Sequence, residues 1–219
     1  MTDYRELRVN YTNQTLNLED LANNPLAQFQ NWMKEAAALP EPNAMVVATA
    51  DTEGQPSSRH VLLKEVTSNG FVFYTNYASR KGEEISSNPK ASLTFPWFPM
   101  YRQVNVVGVV EKLSREESEN YFHSRPHESQ LAALASNQSS VLNSRDELED
   151  YFAELKLKFP EGSVVPLPEN WGGLLVIPKS IEFWSGRASR MHDRFVYETS
   201  SSRPDLANTA DWKISRLSP

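Results

Sequence analysis

The stretch Ser58–Lys81, SRHVLLKEVTSNGFVFYTNYASRK, decides the fold that we expect for this chain. Its first and last parts are rich in β-branched and aromatic residues, which favour strands. Ser68-Asn69-Gly70 lies between them and supplies turn chemistry, because Asn and Gly tolerate positive φ. The sequence therefore predicts a β-hairpin that carries basic residues at its ends.

Four basic residues flank this hairpin: Arg59 and Lys64 on the first strand, Arg80 and Lys81 just after the second. Basic residues on strands are usually solvated, but four around an apolar hairpin can also form a cradle for an anion. The segment Ser79–Asn88 predicts a short helix with Arg80 and Lys81 in its first turn. Because free backbone N–H groups in a first turn also favour anions, the cradle becomes the better interpretation.

Composition bounds the class of protein. The 219 residues include 22 Lys and Arg against 28 Asp and Glu, a formal net charge of −6, and no cysteine. The length suits one domain with a full core, and the acidic balance argues against a nucleic-acid or membrane binder. We find neither the apolar core of a signal peptide nor a run of membrane-spanning length, so we expect a cytoplasmic protein without thiol chemistry.

The order of elements favours an antiparallel β-barrel with attached helices over a doubly wound sheet. Polar residues 1–17 lack periodicity and predict a mobile N-terminal arm, with Arg8 and Tyr11 as its notable side chains. Residues 18–219 predict a single domain. A helix starting at Asn24-Pro25 comes first, and strands then follow one another on either side of a helical block at about 114–159.

The helical block contains a row of polar donors. Tyr121, Arg125 and Ser129 are spaced at i, i+4 and i+8. This spacing places three donors suited to phosphate on one face, provided that the helix continues through Pro126.

A second basic cluster lies in WSGRASRMHDRF, residues 184–195. A strand at Met191–Glu198 would place three potentially cationic side chains on one face: Arg190, His192 and Arg194. Such groups repel one another unless a ligand anion or a neighbouring carboxylate offsets them. Trp184 just upstream offers a flat aromatic surface, which favours a ligand over a row of salt bridges.

The common phosphate-binding and nucleophile motifs are missing. GxGxxG, GxxxxGK[ST] and GxSxG are all absent, which excludes a Rossmann site, a P-loop and a serine-hydrolase elbow. His123 and His127 are four positions apart, as metal ligands often are, but no cysteine and no nearby third ligand accompany them. We therefore expect no metal site, and side chains must do most of the binding of any phosphorylated ligand.

An ordered set of motifs spans nearly the whole chain. It comprises RHVLLK (59–64), FYTN (73–76), SRK (79–81), RQV (102–104), YFHSRP (121–126), SQ (129–130), NQSS (137–140), VPLP (165–168), WGG (171–173), IEFW (181–184), RMHDRF (190–195) and WKI (212–214). Each motif is weak alone, but the ordered set is specific. In this set the chain resembles the pyridoxamine 5′-phosphate oxidase family.

The resemblance implies a fold and a reaction. The fold is an FMN-binding split β-barrel, antiparallel and Greek-key-like, with attached helices, and the protein is a homodimer with FMN held between subunits. The reaction is the oxidation of pyridoxamine or pyridoxine 5′-phosphate to pyridoxal 5′-phosphate, with O2 as acceptor and H2O2 as product. We further expect the Gln138-Ser139 loop and the 59–81 hairpin to reach one site from different chains.

The resemblance also implies a set of site residues. The implied FMN contacts are Arg59, His60, Val61, Leu62, Leu63, Lys64, Tyr74, Thr75, Arg80, Lys81, Gln103, Gln138, Ser139, Trp184 and Arg194. The implied substrate contacts are Arg8, Tyr11, Lys64, Tyr121, Arg125, Ser129, Arg190 and His192. Of these, Arg190 and His192 are assigned the catalytic role, in which they hold the substrate ring over the flavin.

Two alternatives stand beside this reaction. One is another split-barrel flavin oxidoreductase, which would keep the FMN contacts but would not need the whole substrate set. The other is a non-catalytic protein that binds FMN or pyridoxal phosphate with the same residues and without turnover. Release of peroxide from pyridoxamine 5′-phosphate distinguishes both from the oxidase.

Overall fold

The computed structural model describes residues 3–7, 9–13 and 15–219, which fold around one antiparallel sheet. Its strands are β1 (Ala44–Ala50), β2 (Pro56–Leu62), β3 (Glu65–Thr67), β4 (Gly70–Asn76), β5 (Lys90–Trp97), β6 (Arg102–Lys112), β7 (Trp171–Ser185), β8 (Asp193–Glu198) and β9 (Lys213–Leu217). The helices are α1 (Pro25–Ala36), α2 (Arg80–Ser87), α3 (Arg115–Ser124), α4 (His127–Ala135) and α5 (Arg145–Lys158). This arrangement confirms the antiparallel β fold with attached helices. Among the residues described, no helix combines the length and the apolar character needed to cross a membrane.

The long strand β7 connects the two parts of the sheet. The strand order is β2-β1-β5-β6-β7-β4-β3, with β8 on β7 and β9 on β8. Residues 171–176 of β7 pair with β4, whereas residues 180–185 pair with β8. Its pairing with β6 shifts register at Val107/Gly108, where an added Cβ on Gly108 would lie 2.2 Å from the carbonyl oxygen of Ile177. Glycine is therefore required at this bulge, which helps the sheet to curl.

Aromatic packing fixes the helices on the sheet. Phe29 of α1 packs against Phe71 and Phe95, with ring centroids 5.0 Å apart in each pair. A smaller cluster, which includes Phe122 and Trp171, joins the block α3–α5 to the start of β7. Burial of these rings holds α3 and α4 beside β4 and β7.

The predicted hairpin is only partly correct. β4 does form a hairpin, but with the three-residue strand β3, whereas residues 56–62 form β2 and pair with β1. The chain changes direction at Leu63, whose N–H donates to the Asn43 carbonyl at 2.9 Å and whose C=O accepts from the Asn43 side chain at 3.0 Å. Because of this break, Arg59 lies on β2 and Lys64 lies between β2 and β3, so the prediction that both are on one strand is wrong.

The helical block is interrupted where the sequence contains Pro126. α3 ends at Ser124, Arg125 has an extended conformation with φ −76° and ψ 153°, and α4 begins at His127. The side-chain amide of Gln130 donates to the Arg125 carbonyl at 2.8 Å and braces this joint. The continuous helix required by the predicted row of donors is therefore absent from this segment.

The described part of the N-terminal segment lies against the end of β7. The Asn13 side-chain amide donates to the Met100 carbonyl at 3.0 Å and to Ser185 Oγ at 3.1 Å. The Tyr11 ring packs edge-on against Trp184 at 5.8 Å between centroids. These contacts place residues 11 and 13 at the end of β7, and the mobility of the N-terminal arm stays a prediction.

Candidate functional site

A cavity of about 650 Å³ opens between the sheet and the α3–α4 pair. Of the residues predicted for a site, it is lined by His60, Val61, Leu62, Lys64, Tyr74, Thr75, Lys81, Tyr121, Arg125, Ser129 and Gln138. The three donors of the helical block thus converge even though the helix breaks between them, because α3 and α4 both border the cavity. One chain therefore gathers much of the predicted FMN set together with part of the predicted substrate set.

Lys81 is a buried cation with neutral partners. Its residue is 7% exposed, and its Nζ donates to Gln138 Oε1 at 2.8 Å, Thr75 Oγ1 at 3.1 Å and Ser79 Oγ at 3.2 Å. Burial, assisted by the nearby charge of Arg59, lowers the pKa of Lys81 from 10.5 to about 8. Within the described chain no carboxylate forms an ion pair with it, so an anion in the cavity would offset its desolvation.

The loop after α4 completes this pocket from within the same chain. Gln138 Oε1 accepts from both Thr75 and Lys81, and the carbonyl of Ser136 accepts from Asn76 Nδ2 at 3.3 Å. The expectation that this loop and the 59–81 segment come from different chains is therefore wrong. The reason is local: α4 ends beside β4, so the next residues reach Lys81 directly. Ser139 has a left-handed φ of 73° and lines a neighbouring cavity instead.

Arg125 contributes a second cation to the cavity. Its Nη1 atom is buried and has no hydrogen-bond partner among the described residues. The guanidinium carbon lies 5.0 Å from the centroid of the Trp171 ring. Burial lowers the pKa of Arg125, although a guanidinium stays charged at neutral pH. A buried charged donor without a partner is costly, so an anion seated here would complete its hydrogen bonding.

A stack of aromatic rings forms one wall of the cavity. The rings of Tyr74 and Tyr121 lie 3.8 Å apart at 18°, and Tyr74 lies 5.5 Å from Trp171 at 17°. Burial, with a smaller contribution from the charge of Glu65, raises the pKa of Tyr74 to about 12. The hydroxyl of Tyr74 is therefore protonated at neutral pH and available as a donor.

Arg59 and Arg80 converge on the buried carboxylate of Glu84 rather than on the cavity itself. Arg80 Nε donates to Glu84 Oε1 at 2.8 Å, and Arg59 Nη2 lies 3.4 Å from Oε2. Burial raises the pKa of Glu84, but hydrogen bonds from Ser57, Thr49 and Arg80 and the charge of Arg59 outweigh it and hold that pKa at about 2. As predicted, Arg80 and Lys81 occupy the first turn of α2, so this cluster adjoins Lys81.

The other predicted residues form a second group at the far end of β7. Tyr11, Gln103 and Trp184 line a cavity of about 180 Å³, and His192 packs 4.7 Å from the Trp184 ring. His192 Nδ1 accepts from the Arg187 backbone N–H at 3.0 Å. Burial and then the charge of Arg190 lower the pKa of His192, which favours the neutral imidazole. In the described chain the two cavities share no lining residue.

The predicted row of Arg190, His192 and Arg194 on one strand face does not form. β8 begins only at Asp193, and residues 188–190 make a 3-10 turn in which Arg190 has a left-handed φ of 61°. Alternation therefore fails before Asp193. Arg194 lies on β8 and pairs with Glu182, at 2.7 Å from Nε to Oε1.

Two further residues were predicted to contact a ligand, and the structure shows neither of them in a cavity. Leu63 is 7% exposed and packs in the main core, so its side chain does not line the cavity. Arg8 lies outside the described residues.

The structure brings to the site two residues for which the sequence predicted no role. Trp171 stands in the WGG motif, and its position in a motif was the signal that could have found it. Glu84 lies four residues after Arg80 in a predicted helix, which is the spacing of an intrahelical ion pair. That spacing is common on surfaces, so it does not by itself indicate a buried carboxylate.

Comparisons with family models cover most of the chain. A model described as pyridoxamine 5′-phosphate oxidase matches residues 33–159. A second, described as the pyridoxine 5′-phosphate oxidase C-terminal dimerisation region, matches residues 171–219. The first match contains the 650 Å³ cavity apart from Trp171, and the second contains Trp184, Arg190, His192 and Arg194.

Curated relatives and solved structures agree with these matches. Proteins named pyridoxine/pyridoxamine 5′-phosphate oxidase from Rhodopirellula baltica and Paraburkholderia xenovorans are each 50% identical, over 98% and 100% of this chain and 96% and 100% of their own lengths. The structure of PhzG from Burkholderia lata, in complex with tetrahydrophenazine-1-carboxylic acid, is 29% identical with a TM-score of 0.84, covering 94% of this chain and 98% of that one. A pyridoxamine 5′-phosphate oxidase-related, FMN-binding protein from Nostoc punctiforme shares the fold at 15% identity, with a TM-score of 0.69 over 88% of this chain and 96% of that one.

Proposed function

This chain belongs to the pyridoxine/pyridoxamine 5′-phosphate oxidase family, and we propose that it binds FMN and oxidises pyridoxamine or pyridoxine 5′-phosphate to pyridoxal 5′-phosphate. Molecular oxygen is the electron acceptor and hydrogen peroxide the second product. The observation that carries the proposal is the pair of cations in one cavity, the buried Lys81 and the half-buried Arg125 with its buried Nη1, neither of which pairs with a carboxylate among the described residues. Two phosphorylated ligands, a cofactor and a substrate, would supply one anion to each.

The residues around each cation suit different phosphates. Lys81 lies at the first turn of α2, where backbone N–H groups and the neighbouring Arg80 add to its attraction for the phosphate of FMN. Arg125 lines the same cavity from the joint between α3 and α4, together with Lys64, Tyr121 and Ser129. These four residues would share the phosphate of the substrate in a charge-assisted clamp of several donors. The cavity volume of about 650 Å³ falls within the usual range for ligand sites.

The protein supplies position and charge to this reaction. FMN, when bound, would accept the hydride removed from the substrate carbon and pass the electrons to oxygen. Arg125 anchors the substrate by its phosphate, and the stack of Tyr74, Tyr121 and Trp171 excludes water from one side. Arg190 and His192 would orient the substrate ring, with His192 neutral at neutral pH.

We propose that the second group acts on the first cavity of a partner subunit. Gln103, Trp184 and Arg194 are implied FMN contacts, yet they lie at the other end of β7 from Lys81 in the same chain. Most of this group falls in the region that matches the dimerisation model. A two-fold dimer would bring each group against the complementary group of its partner.

Cofactor and reaction can be tested together. The purified protein should be yellow, should release FMN and not FAD on denaturation, and should produce peroxide when pyridoxamine or pyridoxine 5′-phosphate is added. Stoichiometric FAD, or no flavin after reconstitution, would refute the cofactor. Bound FMN without peroxide from either substrate would instead favour a non-catalytic flavoprotein or an oxidoreductase with another substrate.

Mixed dimers test the composite site. Arg125→Ala removes a residue of the first group and His192→Ala one of the second, so each homodimer should be impaired. If the site combines both groups across subunits, mixed dimers contain one intact site, and an equal mixture should recover about a quarter of the wild-type sites. Activity that stays at the average of the two variants after subunit exchange, or a flavin-loaded monomer in sedimentation, would contradict a shared site.

A further inference from the structure

The carboxylate of Glu84 connects three elements of the fold beneath the first turn of α2. Its side chain is 6% exposed. It accepts hydrogen bonds from Thr49 on β1, from Ser57 on β2 at 2.6 Å and 2.8 Å, and from Arg80 on α2. A buried carboxylate with this many donors is held in one position.

Arg59 is fixed by the same network. Its Nη1 donates to Thr49 Oγ1 at 2.6 Å and to the Val47 carbonyl at 3.3 Å, while its Nη2 contacts Ser57 Oγ and Glu84. The two hydroxyls that hold the guanidinium are thus the two that donate to Glu84. Removing the carboxylate would release both hydroxyls and the arginine together.

Arg80 is held by one edge only. Its Nε bonds Glu84, and in the described chain no partner is found for its Nη atoms on a side chain that is 59% exposed. The outer edge of the guanidinium is therefore exposed in the first turn of α2, one residue before Lys81, whose amine is close enough to Arg59 for that charge to lower its pKa. Arg59, Arg80 and Lys81 carry three positive charges and Glu84 one negative charge, a net of +2 that matches a phosphate monoester at neutral pH.

We propose that Glu84 is a positioning residue for the cofactor phosphate: it holds Arg59 and Arg80 beside Lys81, so that the anion meets cations already in place. This inference rests on the proposed binding of FMN. A simple electrostatic argument predicts the opposite effect: a carboxylate close to a phosphate repels it, so removal of the Glu84 charge would tighten FMN binding. Positioning dominates in this cluster because the Glu84 charge is already compensated by both arginines.

Glu84→Gln separates the two effects, because glutamine keeps the shape and removes the charge. FMN and riboflavin are titrated into the flavin-free full-length chain and followed by quenching of flavin fluorescence. Riboflavin lacks the phosphate, so positioning predicts that FMN binding weakens about tenfold, the size of one charge-assisted contact, while riboflavin binding is unchanged. Glu83→Gln is the matched control: Glu83 is exposed on the same helix, and its loss should leave FMN binding near wild type.

The outcomes are distinct. FMN binding that is unchanged or tighter in Glu84→Gln overturns the proposal, and so does an equal loss for FMN and riboflavin, which would indicate general damage to the fold. Glu84→Asp keeps the charge on a shorter side chain, and it tests the proposal even if the glutamine variant fails to fold. Weaker FMN binding by Glu84→Asp supports positioning, and binding as tight as in the wild type overturns the proposal. A wild-type chain that binds riboflavin and FMN equally refutes the phosphate site and the proposed function with it.

Discussion

Replacing Lys81 with methionine is expected to weaken FMN binding roughly 10- to 150-fold and, at the same time, to raise the melting temperature of the flavin-free protein. The loss follows from the removal of a charge-assisted contact of about 1.5–3 kcal/mol. The gain in stability follows from burial, because Lys81 is 7% exposed and its donors meet only neutral oxygens. Methionine fills a similar volume without a charge to desolvate.

The stability of the flavin-free protein should also depend on pH through the amine of Lys81. Burial lowers the pKa of Lys81 from 10.5 to about 8, so between these values the unfolded chain binds more protons than the folded chain. The flavin-free wild type should therefore gain stability as the pH rises from 8 towards 10.5, and Lys81→Met should lack this gain. Urea unfolding at several pH values measures it.

Lys112→Met provides the matched control for Lys81→Met. Lys112 lies at the end of β6 over the Tyr77 ring, 4.4 Å from its centroid, and does not line the cavity. Its replacement should leave FMN binding near wild type. If Lys81→Met retains FMN, or if it loses riboflavin to the same extent, Lys81 does not bind the phosphate.

Replacing Arg125 with alanine and replacing Arg190 with alanine should change different kinetic constants. Arg125 has a buried Nη1 without a partner among the described residues, which suits an anion. We expect its contact with the substrate phosphate to be equally strong in the ground and transition states, because the phosphate does not react. Arg125→Ala should therefore mainly raise KM, by roughly 10- to 150-fold, and change kcat little. Arg190→Ala should lower kcat as well, because a displaced substrate ring is poorly aligned with the flavin.

Steady-state kinetics with flavin content measured alongside tests this division. Alanine is preferred to glycine at position 190, since Arg190 has φ 61° and glycine would also relax the backbone. Arg125→Lys keeps the charge but loses the planar fork, so it should fall between wild type and Arg125→Ala. An unchanged kcat in Arg190→Ala, or loss of its FMN, would show that Arg190 does not orient the substrate.

Local chemistry made part of the fold predictable. α1 begins at Pro25 with Asn24 as its cap, and the helical block predicted from about residue 114 begins with a capping box between Ser114 and Glu117. α2 follows Ser79 as predicted. Capping and turn signals act within a few residues, so a single sequence contains all that they need.

Pairing between distant residues was less predictable. Residues 58–66 are uniformly suited to strands, and the break at Leu63 depends on hydrogen bonds with Asn43, twenty positions earlier. The row at 190–194 failed because Arg187 N–H closes a turn onto His192, which interrupts the alternation that a strand would provide. Tyr121 and Ser129 do line one cavity, but for a different reason from the one predicted, since two helices, α3 and α4, supply them instead of one continuous helix.

The length of β7 gives the proposed shared site a consequence for the association of subunits. Trp171 at its start lines the first cavity, and Trp184, thirteen residues later, lines the second. At about 3.3 Å per residue the strand between these positions extends up to roughly 43 Å, and on the proposed composite site the two groups that hold one flavin come from different chains. A ligand held between two subunits binds only the associated state, so cofactor and dimer stabilise each other by mass action. Dilution of the protein would then release flavin from both sites as the dimer dissociates. Saturation with flavin would lower the protein concentration at which the dimer dissociates.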